Sequence, residues 1–249
     1  TRLRLRTQRL QTLQVRHGLI PASQLPMLNQ IAESWPETVS LQWNWGERLE
    51  VYAVDCNPAE SPSRHLEALD PFLGTNPQAA IQRCRDQLEQ PGFGSLASET
   101  VPSSPFHSEV IARLGPALKQ QGGSLVEHLS ARMRESPHSG CRISAQQLGG
   151  ATARIGSEQT SFIHRDSVWK PWITAAWNPG DQAGREQSLA WMDQVSEDFR
   201  KVCPGVHLAQ LHDHLPGHQK ELEDAYGDWL PALRQLKAEL DPEGRFPPL

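Results

Sequence analysis

The chain has 249 residues with 29 acidic and 24 basic side chains, a net charge of −5, and no basic cluster beyond Arg2, Arg4 and Arg6, so it lacks the electrostatic footprint of a nucleic-acid binder. Its cysteines, Cys56, Cys84, Cys141 and Cys203, are scattered without a C-x-x-C pair; no disulfide framework or zinc finger is specified, and a reducing, cytoplasmic setting is expected. No stretch nears the roughly 18 apolar residues of a membrane span, and the N-terminus lacks the pattern of a signal peptide, so no membrane partner is expected.

In chain order, "TRLRLRT" (1–7) alternates as a strand, and a chain that begins inside a strand suggests part of something longer. Residues 23–35 read as a helix: Ser23 can cap it, Leu25, Leu28, Ile31 and Trp35 form a stripe, and Pro36 ends it. "VSLQWNWGERLEVYAVDC" (39–56) reads as two strands around Gly46–Glu47. Val39, Leu41, Trp43 and Trp45 point one way, under helices, and Ser40, Gln42 and Asn44 the other. The second strand, with Val51, Tyr52, Ala53 and Val54 consecutive, reads as buried on both faces. Helical patterns follow at 62–70, 77–89, 107–120 and 124–134. Residues 141–155 form two short strands or one bent strand, with Gly149 and Gly150 marking a bulge or a close backbone approach. Residues 162–177 end strand-like, and 185–202 form a helix with Leu189, Met192, Val195, Phe199 and Val202 on one face.

The last unit, "YGDWLPALRQLKAELDPEGRF" (226–246), is helical, and Leu222, Tyr226, Trp229, Leu233, Leu236 and Leu240 recur on one face. Asp228 can cap it, Pro231 fits its first turn, and the Asp241–Pro242 step ends it. Strands and helices mix without regular βαβ alternation. The expected class is therefore α+β, a central antiparallel sheet containing 39–45, 48–56 and 141–148 and covered by helices on one face.

Several stretches, in this order, resemble one family. "TRLRLRT", "LGGATARI", "FIHRDSVW" and above all the terminal unit are similar to the second half of FAD-linked oxidases of the berberine bridge enzyme type, in the vanillyl-alcohol oxidase superfamily. Tyr226, Gly227, Leu233, Arg234, Leu236, Lys237, Asp241, Pro242 and Phe246 match the family's terminal pattern. The resemblance implies that 1–212 is a substrate-binding domain and that 213–249 contacts an FAD-binding domain of the same polypeptide or precursor, which would hold the FAD. It implies a small-molecule substrate, a sheet face toward the flavin, and a flavin contact at Tyr226.

The candidate substrate-binding residues are the polar strand positions Ser40, Gln42, Asn44, Gln146 and Gln147, whose other reading is a solvated face. The family's Tyr-x-Asn element, whose tyrosine assists proton removal, is replaced here by "HLAQLHDHLPGHQ", and the chain's tyrosines are Tyr52 and Tyr226. His212 or Asp213 could serve as base instead, or His212 could be a loop histidine. The spacing of His212, His214 and His218 could hold a metal, but no complementary ligand set accompanies it, and none is assigned. His164 and Arg165 read as structural, pairing with backbone and a carboxylate, and Trp43 and Trp45 read as core. Two functions are expected from these features: the substrate-binding portion of an FAD-dependent oxidoreductase acting on a small hydroxylated or heterocyclic molecule, inactive by itself and without FAD of its own, or a degenerate or proteolysed, non-catalytic ligand- or partner-binding domain.

Overall fold

Alternation of apolar and polar residues builds the centre of the molecule. The computed structural model describes residues 12–57, 63–73, 78–83, 105–207, 212 and 217–246. In chain order its elements are Thr12–Leu19 (β1), Leu25–Ala32 (α1), Val39–Trp45 (β2), Leu49–Asp55 (β3), Arg64–Glu67 (α2), Gln78–Arg83 (β4), His107–Leu114 (β5), Gly122–Arg134 (α3), Arg142–Gln147 (β6), Trp169–Trp177 (β7), Gln182–Arg200 (α4), Gly205–Val206 (β8), His218–Tyr226 (α5) and Leu230–Leu240 (α6). The strands form one sheet in the order β4-β1-β3-β2-β6-β7-β5-β8, and every pairing is antiparallel. The class is α+β, as the patterning predicts.

One face carries the core. Val39, Leu41, Trp43 and Trp45 of β2 are buried and register with Leu49, Val51 and Ala53 of β3 and with Ile143 and Ala145 of β6. α1, α3 and α4 close over this face with Leu25, Leu28, Leu125, Leu129, Met192, Val195 and Phe199, all in one apolar cluster. α4 starts where Asp181 accepts a hydrogen bond from the Gly184 N–H at 2.8 Å, an N-terminal cap that satisfies an otherwise orphaned donor. At the β1 edge, Ser63 caps α2 and donates to Asp55 at 2.5 Å, while Arg16 pairs with Asp70 at 2.9 Å.

Several local expectations are corrected. β3 alternates strictly between buried and half-buried, so it is not covered equally on both faces. Residues 107–114 form strand β5, and 78–83 form β4, where helices were expected; the remainder of 77–89 lies outside the described residues, as does "TRLRLRT". Ser23 lies inside a short 3-10 turn, Ala22–Gln24, and does not cap α1. Residues 141–155 are one strand, β6, then a 3-10 turn; Gly149 has φ of 136° and its Cβ would meet nothing, so it supplies a backbone angle and no close approach.

The terminal unit is also not one helix. α5 stops at Gly227, a 3-10 turn follows over Gly227–Trp229, and α6 begins at Leu230 with Pro231 in its first turn. Asp228 sits in that turn and makes no cap, whereas Asp241 does end α6. Gly227 adopts φ of 50° and ψ of −131°, and an added Cβ would stand 2.9 Å from Ile163 Cδ1. The backbone angle therefore calls for glycine there, while the Cδ1 end of Ile163 would have to turn aside for a Cβ. Gly227→Ala should lower stability by about 1–3 kcal/mol, the cost of one strained backbone position, read from the denaturant midpoint at unchanged slope.

Candidate functional site

Because residues directly opposite one another on paired strands share a face, the register assigns the second sheet face residue by residue. One row runs His17 (β1), Tyr52 (β3), Gln42 (β2), Gln146 (β6), Lys170 (β7). The next runs Leu19, Glu50, Asn44, Ser144, Trp172 and then Ala112 of β5. Ser40 lies on the same face opposite Val54. Ser40 and Gln146 are exposed and Gln42, Asn44, Tyr52, Lys170 and Trp172 half-buried, whereas the core face is sealed. Ser144 Oγ donates to Asn44 Oδ1, which fixes that amide's orientation. Burial pushes the Tyr52 phenol up from its ordinary value and the Lys170 amine down.

Four of the five expected substrate-face residues, Ser40, Gln42, Asn44 and Gln146, are thus brought together. Gln147 is not one of them. It points to the core face, where its Oε1 accepts from Leu41 N at 3.0 Å and its Nε2 donates to the Ala32 carbonyl at 2.7 Å. It ties β2 to the end of α1. Tyr52, Lys170 and Trp172 were missed as face residues; period-2 counting back from Ala176 reaches Thr174, Trp172 and Lys170, but only with the strand's full length in hand.

His212 is 3% exposed and sealed inside the fold. Its N–H donates to Glu221 Oε2 at 2.8 Å, its Nδ1 stands 2.8 Å from Glu221 Oε1, and its Nε2 stands 2.8 Å from the Val110 carbonyl. Glu109 Oε1 lies 3.3 Å from the same Nε2. With both ring nitrogens engaged, His212 joins α5 to β5 and does not reach for a substrate. Asp213 and His214 lie outside the described residues, and among those described no group of three ligating side chains is placed to hold a metal. Burial alone would lower the His212 pKa, but the hydrogen bond and charge of Glu221, the charge of Glu109 and the Val110 carbonyl together raise it. Glu221 is lowered in turn by His212, against its own desolvation.

His164 and Gly227 bring the "FIHRD" and "YGDW" stretches together. His164 Nε2 is 2.9 Å from the Asp224 carbonyl, and Ile163 packs at Gly227. Arg165 finds no carboxylate among the described residues; it donates to Thr160 Oγ1 at 2.9 Å and stacks on Phe162, 5.0 Å from the ring centroid. Arg113 and Arg200 both meet Asp224, at 3.2 and 3.4 Å. Along the terminal stripe, Leu222 is buried, Tyr226 and Leu233 are half-buried, and Trp229, Leu236, Leu240 and Phe246 are exposed.

The linkage at His212 has a definite sign. A raised histidine contributes stability that is fully present below its ordinary value of 6.5 and is lost as pH rises through the folded value. A depressed Glu221 contributes stability present above 4.5 and lost as pH falls through its folded value. The pair therefore supports the fold best between these limits, and His212→Gln should flatten that dependence in unfolding midpoints measured from pH 4 to 9. His212→Ala should cost about 1–3 kcal/mol by leaving Glu221 buried without its partner.

No family model matches the chain. It is 24% identical to the uncharacterized FAD-linked oxidoreductase YgaK of Bacillus subtilis, over 83% of this chain and 50% of that protein. It is 29% identical to a second uncharacterized FAD-linked oxidoreductase of that organism, YvdP, over 40% of this chain and 22% of that protein. The fold superimposes on a chitooligosaccharide oxidase with a TM-score of 0.74 at 15% identity, covering 94% of this chain and 54% of that one. On berberine bridge enzyme from Eschscholzia californica the TM-score is 0.69 at 17% identity, covering 96% and 55%. On the oxidoreductase GilR it is 0.74 at 16% identity, covering 95% and 55%. The chain thus spans half or less of the length of the curated relatives, and over about half the length of the solved oxidases it carries the fold of FAD-linked oxidases of the berberine bridge enzyme type.

Proposed function

We propose that this chain is the substrate-binding portion of an FAD-dependent oxidoreductase that oxidises a small hydroxylated or heterocyclic molecule. The observation that carries the reading is the two-faced sheet: one face is closed by helices, and the other presents Ser40, Gln42, Asn44 and Gln146 beside Tyr52, Lys170 and Trp172. Amides that donate and accept, next to aromatic surface, suit a polyfunctional ligand laid flat against a ring. The nucleotide end of FAD does not fit the described residues. Gly149 and Gly150 lead from β6 into a five-residue 3-10 turn, without the helix N-terminus that cradles a pyrophosphate. FAD would therefore be held mainly by a separate FAD-binding domain of the same polypeptide or precursor. The exposed stripe of Trp229, Leu236 and Leu240, close to Tyr226, would be the part of 213–249 that meets that domain.

When bound, the flavin would supply the hydride acceptor. The chain's own residues would bind and orient the substrate, through Gln42 and Gln146 on adjacent strands and through Asn44 held by Ser144. A second reading, a non-catalytic ligand-binding domain, is favoured by the engagement of both His212 ring nitrogens, which leaves Asp213 as the remaining candidate base of the two.

The test is made on the intact protein. It should carry FAD, and a panel of alcohols and sugars should bleach the flavin absorbance anaerobically. Gln42→Leu should then lower kcat/KM by about tenfold, the worth of one or two substrate hydrogen bonds, with flavin content unchanged. Flavin that is bound but never reduced would favour the second reading.

A further inference from the structure

Lys170 places an ammonium group on the less covered face of the sheet, with no counter-charge beside it among the described residues. It is half-buried, directly opposite Gln146 on β6, with Gln42 next along the row. Its Nζ lies 5.8 Å from the centroid of the Trp172 ring, a contact that a cation makes with an aromatic face. No carboxylate pairs with it among the described residues, and desolvation is the one influence on its pKa, which is lowered. The sole acidic position that the described strands offer on this face is Glu50 on β3, three strands and about 14 Å away.

A cation withdrawn from water and left without a partner is costly unless something on that face restores the lost interaction. Several basic side chains that enter the fold are answered by carboxylates, Arg16 by Asp70, Arg113 and Arg200 by Asp224 and Arg132 by Asp198. Lys170, over Trp172, belongs with Arg165, over Phe162, and Arg185, over Trp177, as cations that lean on a ring and meet no carboxylate among the described residues. The Gln146 side chain, exposed on the neighbouring strand, offers an amide N–H to the same ligand atom group. An ammonium beside an amide donor, over an indole ring, is a recognition site for a planar anion.

We propose that Lys170, with Gln146 and Trp172, seats a carboxylate on the substrate, so that the molecule oxidised at this face is an acid. The inference rests on the preceding reading that this face receives the substrate. It adds a substrate class: hydroxylated or heterocyclic carboxylic acids, preferred over their neutral counterparts. Because the chain as a whole is net negative, long-range attraction does not favour such a ligand, and selectivity has to come from this local pair.

The experiment uses the intact, flavin-loaded protein. Acetylation of Lys170 by acetic anhydride is followed by peptide mass spectrometry in the presence of acetate, D-gluconate or phenylacetate, each beside its uncharged amide at constant ionic strength. At least one carboxylate should slow labelling of Lys170 about tenfold more than its amide does, the discrimination expected of a charge-assisted hydrogen bond. Lys170→Met, which keeps the aliphatic stem on Trp172, should weaken that carboxylate about tenfold by calorimetry, with flavin content and unfolding midpoint unchanged. Equal labelling with every acid and its amide overturns the inference while leaving the flavin reading in place. So does a K170M protein with altered flavin reduction potential and unaltered carboxylate affinity, since the ammonium would then serve the flavin. An intact protein that binds no flavin overturns both.

Discussion

The register of β2 against β3 and β6 is the constraint on which the rest of the molecule depends. In a period-2 element a slip of one residue exchanges the faces, so Leu41, Trp43 and Trp45 would trade places with Gln42 and Asn44. Burying three large apolar side chains instead of exposing them is worth several kcal/mol by area, and that difference holds the strand where it is. Gln147 adds a polar check on the same choice. Its amide bridges the Leu41 N–H and the Ala32 carbonyl, so one side chain locks the strand to its covering helix. Glu33 does the same work from the other side, accepting from Leu118 N at 2.6 Å and from Trp169 Nε1 at 2.7 Å. The core face and the polar face are therefore one decision, made once.

A second polar joint fixes the terminal helices. Asp224 sits at its centre: its carboxylate meets Arg113 from β5 and Arg200 from α4, and its carbonyl meets His164. One turn back, Glu221 holds His212 against β5. Partners of a largely buried carboxylate have to be retained together, because losing one leaves uncompensated charge in a poorly solvated place. α5 is consequently anchored at two points, while α6, beyond the break at Gly227, contributes Leu230 to the interior and leaves Leu236 and Leu240 exposed. The terminal segment is held at its beginning and apolar on its outside.

Legibility in the sequence followed the same physics. Residues 39–45 were readable because apolar and polar residues alternate without exception, and 185–202 because a stripe at helical spacing continues for several turns. β5 was not readable as a strand. Its second half is buried on both faces, so Ile111, Ala112 and Leu114 erase the alternation and leave spacings that a helix would also give. In β4, "QAAIQR" is made of helix formers, and pairing with β1 overrides that preference. Gln146 and Gln147 look equivalent as neighbours in sequence, yet adjacent residues in a strand face opposite ways, and only the strand's register says which is which. His212 could not be judged at all without coordinates, since its partners lie nine residues ahead and 102 residues behind.

What distinguishes the two sheet faces is finally how their charges are answered. Towards the helices, each buried charge has a partner within hydrogen-bond range: Arg132 with Asp198 at 2.9 Å, Lys201 with the same carboxylate at 3.2 Å, Arg113 with Ser196 at 3.1 Å and with Asp224. These networks satisfy themselves and ask nothing of a ligand. On the other face the amides of Gln42 and Gln146 and the ammonium of Lys170 are presented on rigid strands, half-buried or exposed, with their hydrogen-bonding capacity directed outward. A backbone held by ladders on both sides keeps such groups in fixed positions at the spacing of the strands, so a ligand that matches them loses little to ordering the protein. The sheet thus uses its polar groups differently on its two sides, satisfied within the fold on one and turned outward on the other.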